Sequence, residues 1–438
     1  MLSTRETARD GEESPWGRLE VVLGESGRAR RLDRAPVGER RRLQRKLKVR
    51  VHTRQLGASS VDDTVGHPYA RAHRMTRIRT SFEGQAASRS SSGRSIDFRS
   101  FAAEIRDLVD GALAPWLDRR VAEAERRGTD VHAVADAIRQ LVLRGGKRMR
   151  PVLLAAAFEA CGGEGGPATV LPAAVAMELL QAYLLTHDDW MDGDEIRRGG
   201  PSVPAMMRDR FAGTKADAMS ILAGDLAAAW ARLALLEVAV APERVLRAAT
   251  ELARVEEDVV EGQVLDVGGN AASAEQVETM HALKTASYSV RGPVVIGAHL
   301  AGAPLSQIAA LSAFAMPLGV AFQLRDDLLG VFGDPAVTGK PAGSDIRCGK
   351  RSAVLIEAMD EVKRKNPLAL AFGRADATDE HVRAAVASLE TIGVRWRVEA
   401  RIAVLAESAR AALERAELAP RGHALLGEAA LAFTCGTG

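Results

Sequence analysis

Two regimes of hydrophobic patterning divide the chain. Residues 1–97 sustain neither a 3.6-residue nor a 2-residue period, and they carry arginine runs such as Arg40-Arg41-Arg42 and a serine tract from Ser88 to Ser95. Such a segment lacks the apolar surface to offset the entropy of ordering it, so a disordered basic extension is expected there. From residue 98 onward, apolar positions recur at helical spacing in Ala/Leu/Arg-rich stretches punctuated by Gly and Pro. The spacing predicts helices over 98–127, 131–143, 151–160, 169–190, 215–239, 242–267, 274–300 and 304–331, then over 352–359, 379–391, 395–415 and 420–433. No series of period-2 strands competes with them. Long helices with short connections predict an all-α fold, a single large helical bundle over 98–438.

Composition agrees with packed helices. Hydrophobic residues make up 47% of the 438 and aromatics only 4%, so Leu, Ala and Val fill the core instead of the aromatic strands of a sandwich or barrel. The net charge of +2 conceals an asymmetry: the first hundred residues hold 22 Lys/Arg against 12 Asp/Glu, a local charge of about +10, and the rest carries about −8. An acidic body that binds a polyanion needs locally concentrated cations. Three readings compete for the extension: a misassigned start with Met75 or a neighbour as the true beginning, an Arg/Ser-rich targeting peptide, or a basic arm touching nucleic acid or membrane. Acidic residues scattered among the arginines argue against a clean transit peptide. Cys161, Cys348 and Cys435 are too few and too scattered for a disulfide framework or a zinc site, and a cytoplasmic location is expected. No stretch offers roughly eighteen uninterrupted apolar residues, so no transmembrane segment is expected. The most hydrophobic runs are broken by Asp225, Arg232, Arg291, Pro293 or His299.

Two acidic clusters carry the chemistry: Asp188-Asp189-Trp190-Met191-Asp192 and Asp326-Asp327-Leu328-Leu329-Gly330, each in an apolar stretch that reads as helix. Asp188 and Asp192 are i and i+4, about one turn apart on one face, where like charges repel unless a cation lies between them. Magnesium takes one or two carboxylates and leaves its other positions to water and substrate phosphates, so two such clusters suggest a diphosphate held between two helices. Arg197 and Arg198 follow the first cluster just where Gly199-Gly200-Pro201 is expected to end the helix, and guanidinium groups grip phosphate oxygens in pairs. Alone, an acidic helix end followed by arginines reads as a solvated face, but the apolar run Met177 to Leu185 before it argues for burial. Upstream, Gly145-Gly146-Lys147-Arg148-Met149-Arg150-Pro151 places three cations in a glycine-opened loop before a helix, a natural anion site. It lacks the P-loop spacing. His187 beside the carboxylates suits hydrogen bonding or packing better than magnesium, which prefers oxygen. Trp190 and the Met206-Met207 pair read as packing residues.

Taken together, these motifs resemble the trans-isoprenyl diphosphate synthases, the polyprenyl synthetase family that includes farnesyl and geranylgeranyl diphosphate synthases. The resemblance runs from about residue 100 to the end: G-G-K-R-M-R-P; Q-A-Y-L-L-T-H-D-D-W-M-D with its R-R-G; A-G-D at Ala223 to Asp225; G-Q-V-L-D at Gly262 to Asp266; K-T at Lys284-Thr285; F-Q-L-R-D-D at Phe322 to Asp327; and F-G-D-P-A-V-T-G-K-P at Phe332 to Pro341. It implies a bundle of the isoprenoid synthase type. It also implies that Asp188, Asp189, Asp192, Asp326 and Asp327 hold three magnesium ions on an allylic diphosphate. Arg197, Lys284, Lys340 and Lys350 match the cations that contact that diphosphate, with Thr285 and Gln323 as hydrogen-bonding neighbours. Lys147, Arg150 and Arg198 match the pocket for isopentenyl diphosphate, and Gln181 stands where members carry histidine or glutamine. By this likeness Asp188, Asp192, Lys284, Asp326 and Lys340 are the catalytic residues.

Departure of diphosphate from an allylic carbon leaves a delocalised cation, so metal and cationic side chains that stabilise the leaving group lower the barrier. The cation must then meet an alkene and not water, which calls for an apolar cavity. One departure from the pattern stands out: Gly330 occupies the place of a third aspartate, with Asp334 only one turn further on. Tyr183 and Leu184, a turn before the first motif, are the expected floor of the chain cavity, and one aromatic with an uninterrupted motif resembles geranylgeranyl diphosphate synthases. The alternatives are a farnesyl diphosphate synthase, a regulatory subunit that has lost catalysis, and a terpene cyclase. The retained carboxylates and the G-K-R-M-R-P loop argue against the last two. A homodimer is expected by the same likeness, and stable nucleic-acid binding is not.

Overall fold

The computed structural model describes residues 97–269, 271, 273–334, 342–359, 367–374 and 376–436. The expected extension 1–97 therefore lies outside the described residues except for Asp97.

Local signals set most helix ends. Asp97 accepts a hydrogen bond from the Arg99 N–H at 3.0 Å and so caps α1 (Phe98–Glu125). After it come α2 (Thr129–Leu143), α3 (Met149–Ala160) and a 3₁₀ turn (Pro167–Val170) that feeds α4 (Leu171–Asp192). A two-residue hairpin pairs β1 (Ile196–Arg197) with antiparallel β2 (Gly200–Pro201). Next are α5 (Val203–Arg210), α6 (Thr214–Leu236), α7 (Pro242–Gly268) and α8 (Ala274–His281). A π-helical segment (Ala282–Arg291) runs into α9 (Gly292–Ala301), followed by α10 (Leu305–Phe332). The remainder comprises α11 (Ser344–Cys348), α12 (Ala353–Met359), α13 (Asp379–Thr391), α14 (Val394–Glu414) and α15 (Pro420–Leu431).

These helices surround two adjoining hydrophobic cores. The larger gathers α1 to α4, α6, α7, α9 and the first half of α10, with Phe158, Met177, Leu179 and Phe314 fully enclosed. The smaller joins the second half of α10 to α8 and α11 to α14, around Leu324, Val331, Ile346, Leu355 and Val394. Helix α10 thus belongs to both, and its second aspartate motif lies on the half that enters the smaller core.

The all-α expectation is met, with four local differences. The helix expected over 274–300 is three pieces, because the π-helical stretch interrupts it before Gly292-Pro293. The first motif's helix ends at Asp192, with Gly193 in the left-handed region (φ 70°), and not at Gly199-Gly200-Pro201. Helix α5 was not expected, although Ser202, whose hydroxyl accepts from the Ala205 N–H at 3.2 Å, and Pro204 in the first turn form an ordinary start signal. The fourth difference concerns membrane-spanning length. Three helices, Pro167–Asp192, Thr214–Leu236 and Leu305–Phe332, are long and apolar enough to cross a membrane. Counting uninterrupted apolar runs missed them, because isolated charges leave the average apolar. Their most apolar windows are 56%, 50% and 39% buried within the bundle.

Candidate active site

Helix α4 presents the first carboxylates. Asp188 and Asp192 share one face, whereas Asp189 is turned about 100° away and is fully buried. There Arg197 Nε donates to Asp189 Oδ1 at 2.7 Å, and the same guanidinium reaches Asp194 at 2.8 Å. Burial pushes the Asp189 carboxyl up to about 6 despite the pull of Arg197, and its Oδ2 has no hydrogen-bond partner among the described residues. Asp192 is also raised, by burial and then by Asp188. Trp190 donates its indole N–H to Asp217 at 3.1 Å, and His187 Nε2 donates to the Ile221 carbonyl at 2.9 Å. Both links tie α4 to α6. The A-G-D motif takes part, since a Cβ at Gly224 would strike the His187 ring.

Helix α7 and the π-helical segment complete this cluster. Lys284 Nζ lies 3.2 Å from Asp188 Oδ1 and 2.5 Å from Asp266 Oδ2, while Gln263 Nε2 approaches Asp188 Oδ1 at 3.4 Å. Burial alone would lower the Lys284 ammonium, but Asp188 and Asp266 outweigh it and hold the group above its usual range. The close approach depends on Gly262, where a Cβ would lie 2.6 Å from the Lys284 Cα. Thr285 is buried beside Lys284.

The second motif shows the same division within its pair. Asp327 is fully buried, accepting from Gln323 Nε2 at 3.2 Å and from the Ala353 N–H at 3.0 Å, with His281 Nε2 at 3.4 Å and Lys350 Nζ at 3.8 Å. Burial lowers the His281 imidazole below its ordinary value. Asp326 reaches solvent, yet protein crowds it, and lost hydration followed by the neighbouring Asp327 raises its carboxyl to about 6. Lys350, Arg325 and Lys147 act against that rise, so the glycine loop lies within electrostatic reach of the second motif. Lys350 is held above its usual range: burial would lower it, but Asp327, Asp345 and Asp266 outweigh burial. Asp266 belongs to the first cluster, so Lys350 couples the two. Lys340 lies outside the described residues.

The glycine loop splits its three cations. Lys147 is exposed. Arg150 donates to Gln181 Oε1 at 2.5 Å and to Ser289 Oγ at 2.8 Å, and its guanidinium lies 4.4 Å from the Tyr288 ring centre. Arg148 points inward, 3% exposed, with its backbone in the left-handed region (φ 51°). It pairs with the buried Glu178 of α4 and donates to Asp110 at 2.9 Å and to the Val142 carbonyl at 3.0 Å. Arg198, also left-handed (φ 53°), lies 3.9 Å from the same Glu178, and burial lowers its guanidinium. Tyr183 and Leu184 are half-buried against the larger core, and Tyr183 meets His187 edge to face at 5.0 Å.

Asp188, Gln181, Lys284, Arg150, Lys147, Asp326 and Lys350 are thus linked by contact or by electrostatic reach. Sequence reasoning did not assign Gln263, Asp266, Glu178, Arg148 or His281. The G-Q-V-L-D motif signalled the first two and the glycine-opened loop signalled Arg148 without its inward orientation, while nothing local marked Glu178 or His281. Among the described residues no three acidic, His or Cys side chains converge tightly enough to cage a metal unaided. Magnesium itself keeps waters and takes one or two carboxylates beside substrate phosphates. The mutually repelling Asp188 and Asp192, and the raised Asp326, fit such a cation.

Residues 131–389 match the family model for polyprenyl synthetase, more than half of the chain. The chain belongs to the polyprenyl synthetase family. The family's members are prenyltransferases, short-chain trans-prenyl diphosphate synthases among them, and this chain is one of these enzymes. Among its relatives, the geranylgeranyl diphosphate synthase of Methanosarcina mazei is 36% identical over 261 residues, covering 59% of this chain and 76% of that one. The (2E,6E)-farnesyl diphosphate synthase of Mycobacterium bovis is 35% identical over 254 residues, 57% of this chain and 64% of that protein. A crystal structure of the Corynebacterium glutamicum geranylgeranyl pyrophosphate synthase, complexed with isoprenyl diphosphate and magnesium, superposes with a TM-score of 0.70 at 34% identity, covering 78% of this chain and all of that one. The bundle is of the isoprenoid synthase type.

Proposed function

We propose that this prenyltransferase condenses an allylic diphosphate with isopentenyl diphosphate to make geranylgeranyl diphosphate. The observation that carries the reading is the coupling of two carboxylate helices through Lys284, Asp266 and Lys350. Asp188, Asp192 and Asp326 are the residues that would hold magnesium, with Asp189 and Asp327 positioning Arg197 and Lys350 from behind. Bound magnesium would neutralise charge on the departing diphosphate. Lys284 and Lys350, together with Arg197 and by family likeness Lys340, orient the allylic diphosphate and offset its charge. Lys147, Arg150 and Arg198 bind the second diphosphate, and Thr285, Gln181 and Gln323 hold neighbouring side chains in place. The apolar faces of α4 and α6 shelter the allylic cation from water.

Product length rests on Tyr183 and Leu184, one turn before Asp188. The relatives carry fifteen-, twenty- and twenty-five-carbon names, so a farnesyl product is the second reading and a longer chain the third. We assign a homodimer on the apolar stripe Leu222, Leu233 and Leu236 of α6 beside Val260, Val264 and Val267 of α7, all exposed. A reducing cytoplasm suits the free thiols Cys161 and Cys348.

The test incubates the purified protein with magnesium, labelled isopentenyl diphosphate and, separately, dimethylallyl, geranyl or farnesyl diphosphate, with a chelator control. A chelator-sensitive twenty-carbon product supports the reading, and a single shorter product moves it to farnesyl diphosphate synthase. No condensation with any primer overturns it. Tyr183→Ala is expected to lengthen the product, and an unchanged product removes Tyr183 from the cavity floor.

A further inference from the structure

We propose that Asp345, carried by the segment that returns to α10, takes the place of the carboxylate that Gly330 lacks in the second aspartate motif. Gly330 lies four residues after Asp326 and three after Asp327, so position 330 is a helical neighbour of each, although the two aspartates themselves point about 100° apart. A Cβ built on Gly330 would fall onto the Asp345 carboxylate, 2.5 Å from its Cγ and 2.7 Å from its Oδ1. A carboxylate from elsewhere in the chain therefore occupies the space that a longer side chain at 330 would fill. The placement is pinned on both sides. The Gly343 N–H donates to the Val331 carbonyl at 3.1 Å, and Ser344 Oγ donates to the Gly330 carbonyl at 3.3 Å.

Asp345 also shares a cation with the motif. Lys350 Nζ lies 3.9 Å from Asp345 Oδ2 and 3.8 Å from Asp327 Oδ1, and the Lys350 N–H donates to the Asp345 carbonyl at 3.0 Å. Asp345 is accordingly a positioning residue: it orients Lys350, the cation it shares with Asp327, and supplies negative charge beside position 330. Asp334, the next acidic residue along the chain, lies beyond the helix end at Phe332. The inference rests on the magnesium-diphosphate reading of the site. It adds that residues 330 and 345 are interchangeable suppliers of one carboxylate.

The test titrates inorganic pyrophosphate into the full-length protein by calorimetry at stepped magnesium concentrations. The variants are Asp345→Asn, Gly330→Asp and a double variant that joins Gly330→Asp to Asp345→Ala, whose short side chain clears the space that Asn would still fill, each with its melting temperature measured without magnesium. Asp345→Asn is expected to raise the magnesium needed for half-maximal binding by about tenfold or more, the loss typical of supporting residues around a metal. The double variant should recover most of it, and Gly330→Asp alone should bring no gain, because its carboxylate meets Asp345. An indifferent Asp345→Asn overturns the inference, as does a double variant that melts like the wild type yet recovers nothing. If the double variant does not fold, a normally melting Asp345→Asn decides the matter alone. Wild-type protein without magnesium-dependent pyrophosphate binding overturns the prenyltransferase site itself. Wild-type binding with an indifferent Asp345→Asn removes only the role of Asp345.

Discussion

Each aspartate pair divides its labour: Asp188 and Asp326 reach solvent, while Asp189 and Asp327 are buried and hydrogen-bonded. A buried carboxylate with fixed partners is a strut, whereas an accessible one crowded by charge is held ready for a cation. Asp326 titrates at about 6 in the folded chain against an ordinary 3.8, so the folded state binds the proton more tightly than the unfolded state does. This group's contribution to stability is fully present below 3.8 and is lost as pH rises through about 6. Asp326→Asn is therefore expected to raise the melting temperature of the metal-free protein at pH 7 while lowering product formation by about a hundredfold or more. A lower melting temperature would show that the carboxylate is no source of strain. Arg148 carries the opposite kind of charge, enclosed and fully paired. Arg148→Met leaves the buried Glu178 with only Arg198, 3.9 Å away, at a cost of about 3 kcal/mol, and adding Glu178→Gln should restore much of the loss in thermal melts. Both residues were visible in the sequence. Their orientation was not, because Lys147, Arg148 and Arg150 look alike until Glu178 and Asp110 select which one turns inward.

At the scale of elements, the π-helical segment is the piece on which the first cluster depends. Such stretches are frequent at functional sites, since the wider turn redirects side chains. Here it brings Lys284 to Asp188 and Asp266 because Gly262 on α7 and Gly319 on α10 let its backbone pass close on both sides. Gly262→Ala separates two effects. Helix propensity alone would stabilise α7 by roughly 0.5–1 kcal/mol, whereas the contact with Lys284 predicts a net loss of about 1–3 kcal/mol from overpacking. A fall in melting temperature together with weaker magnesium-dependent pyrophosphate binding is expected, and a rise would refute the contact. The uninterrupted helix expected over 274–300 followed from periodicity, which registers apolar positions but not hydrogen-bond register. Periodicity ended α4 at residue 190, close to the observed Asp192, whereas the stop expected at Gly199-Gly200-Pro201 lies beyond it because Gly193 already takes the left-handed conformation that ends the helix.

At the scale of the molecule, two cores meet along α10, and the carboxylate helices reach the site from either side of that seam. The stripe on α6 and α7 leaves Leu222, Leu233, Leu236, Val260, Val264 and Val267 exposed. Leu233→Glu with Leu236→Glu is expected to convert a dimer to a monomer in light scattering, with melting of the remaining chain little changed. A dimer that persists would place the subunit contact elsewhere. The order of helices, the two acidic motifs and the cation-rich loop were all legible in the sequence, because helical periodicity and i, i+4 spacing are properties of neighbouring residues. Several other features came from packing alone: Asp345 over Gly330, Arg148 against Glu178, Asp266 beside Lys284 and the buried half of each aspartate pair. Each joins residues on different elements, and no local pattern in a chain encodes which distant side chain will fill the space another leaves open.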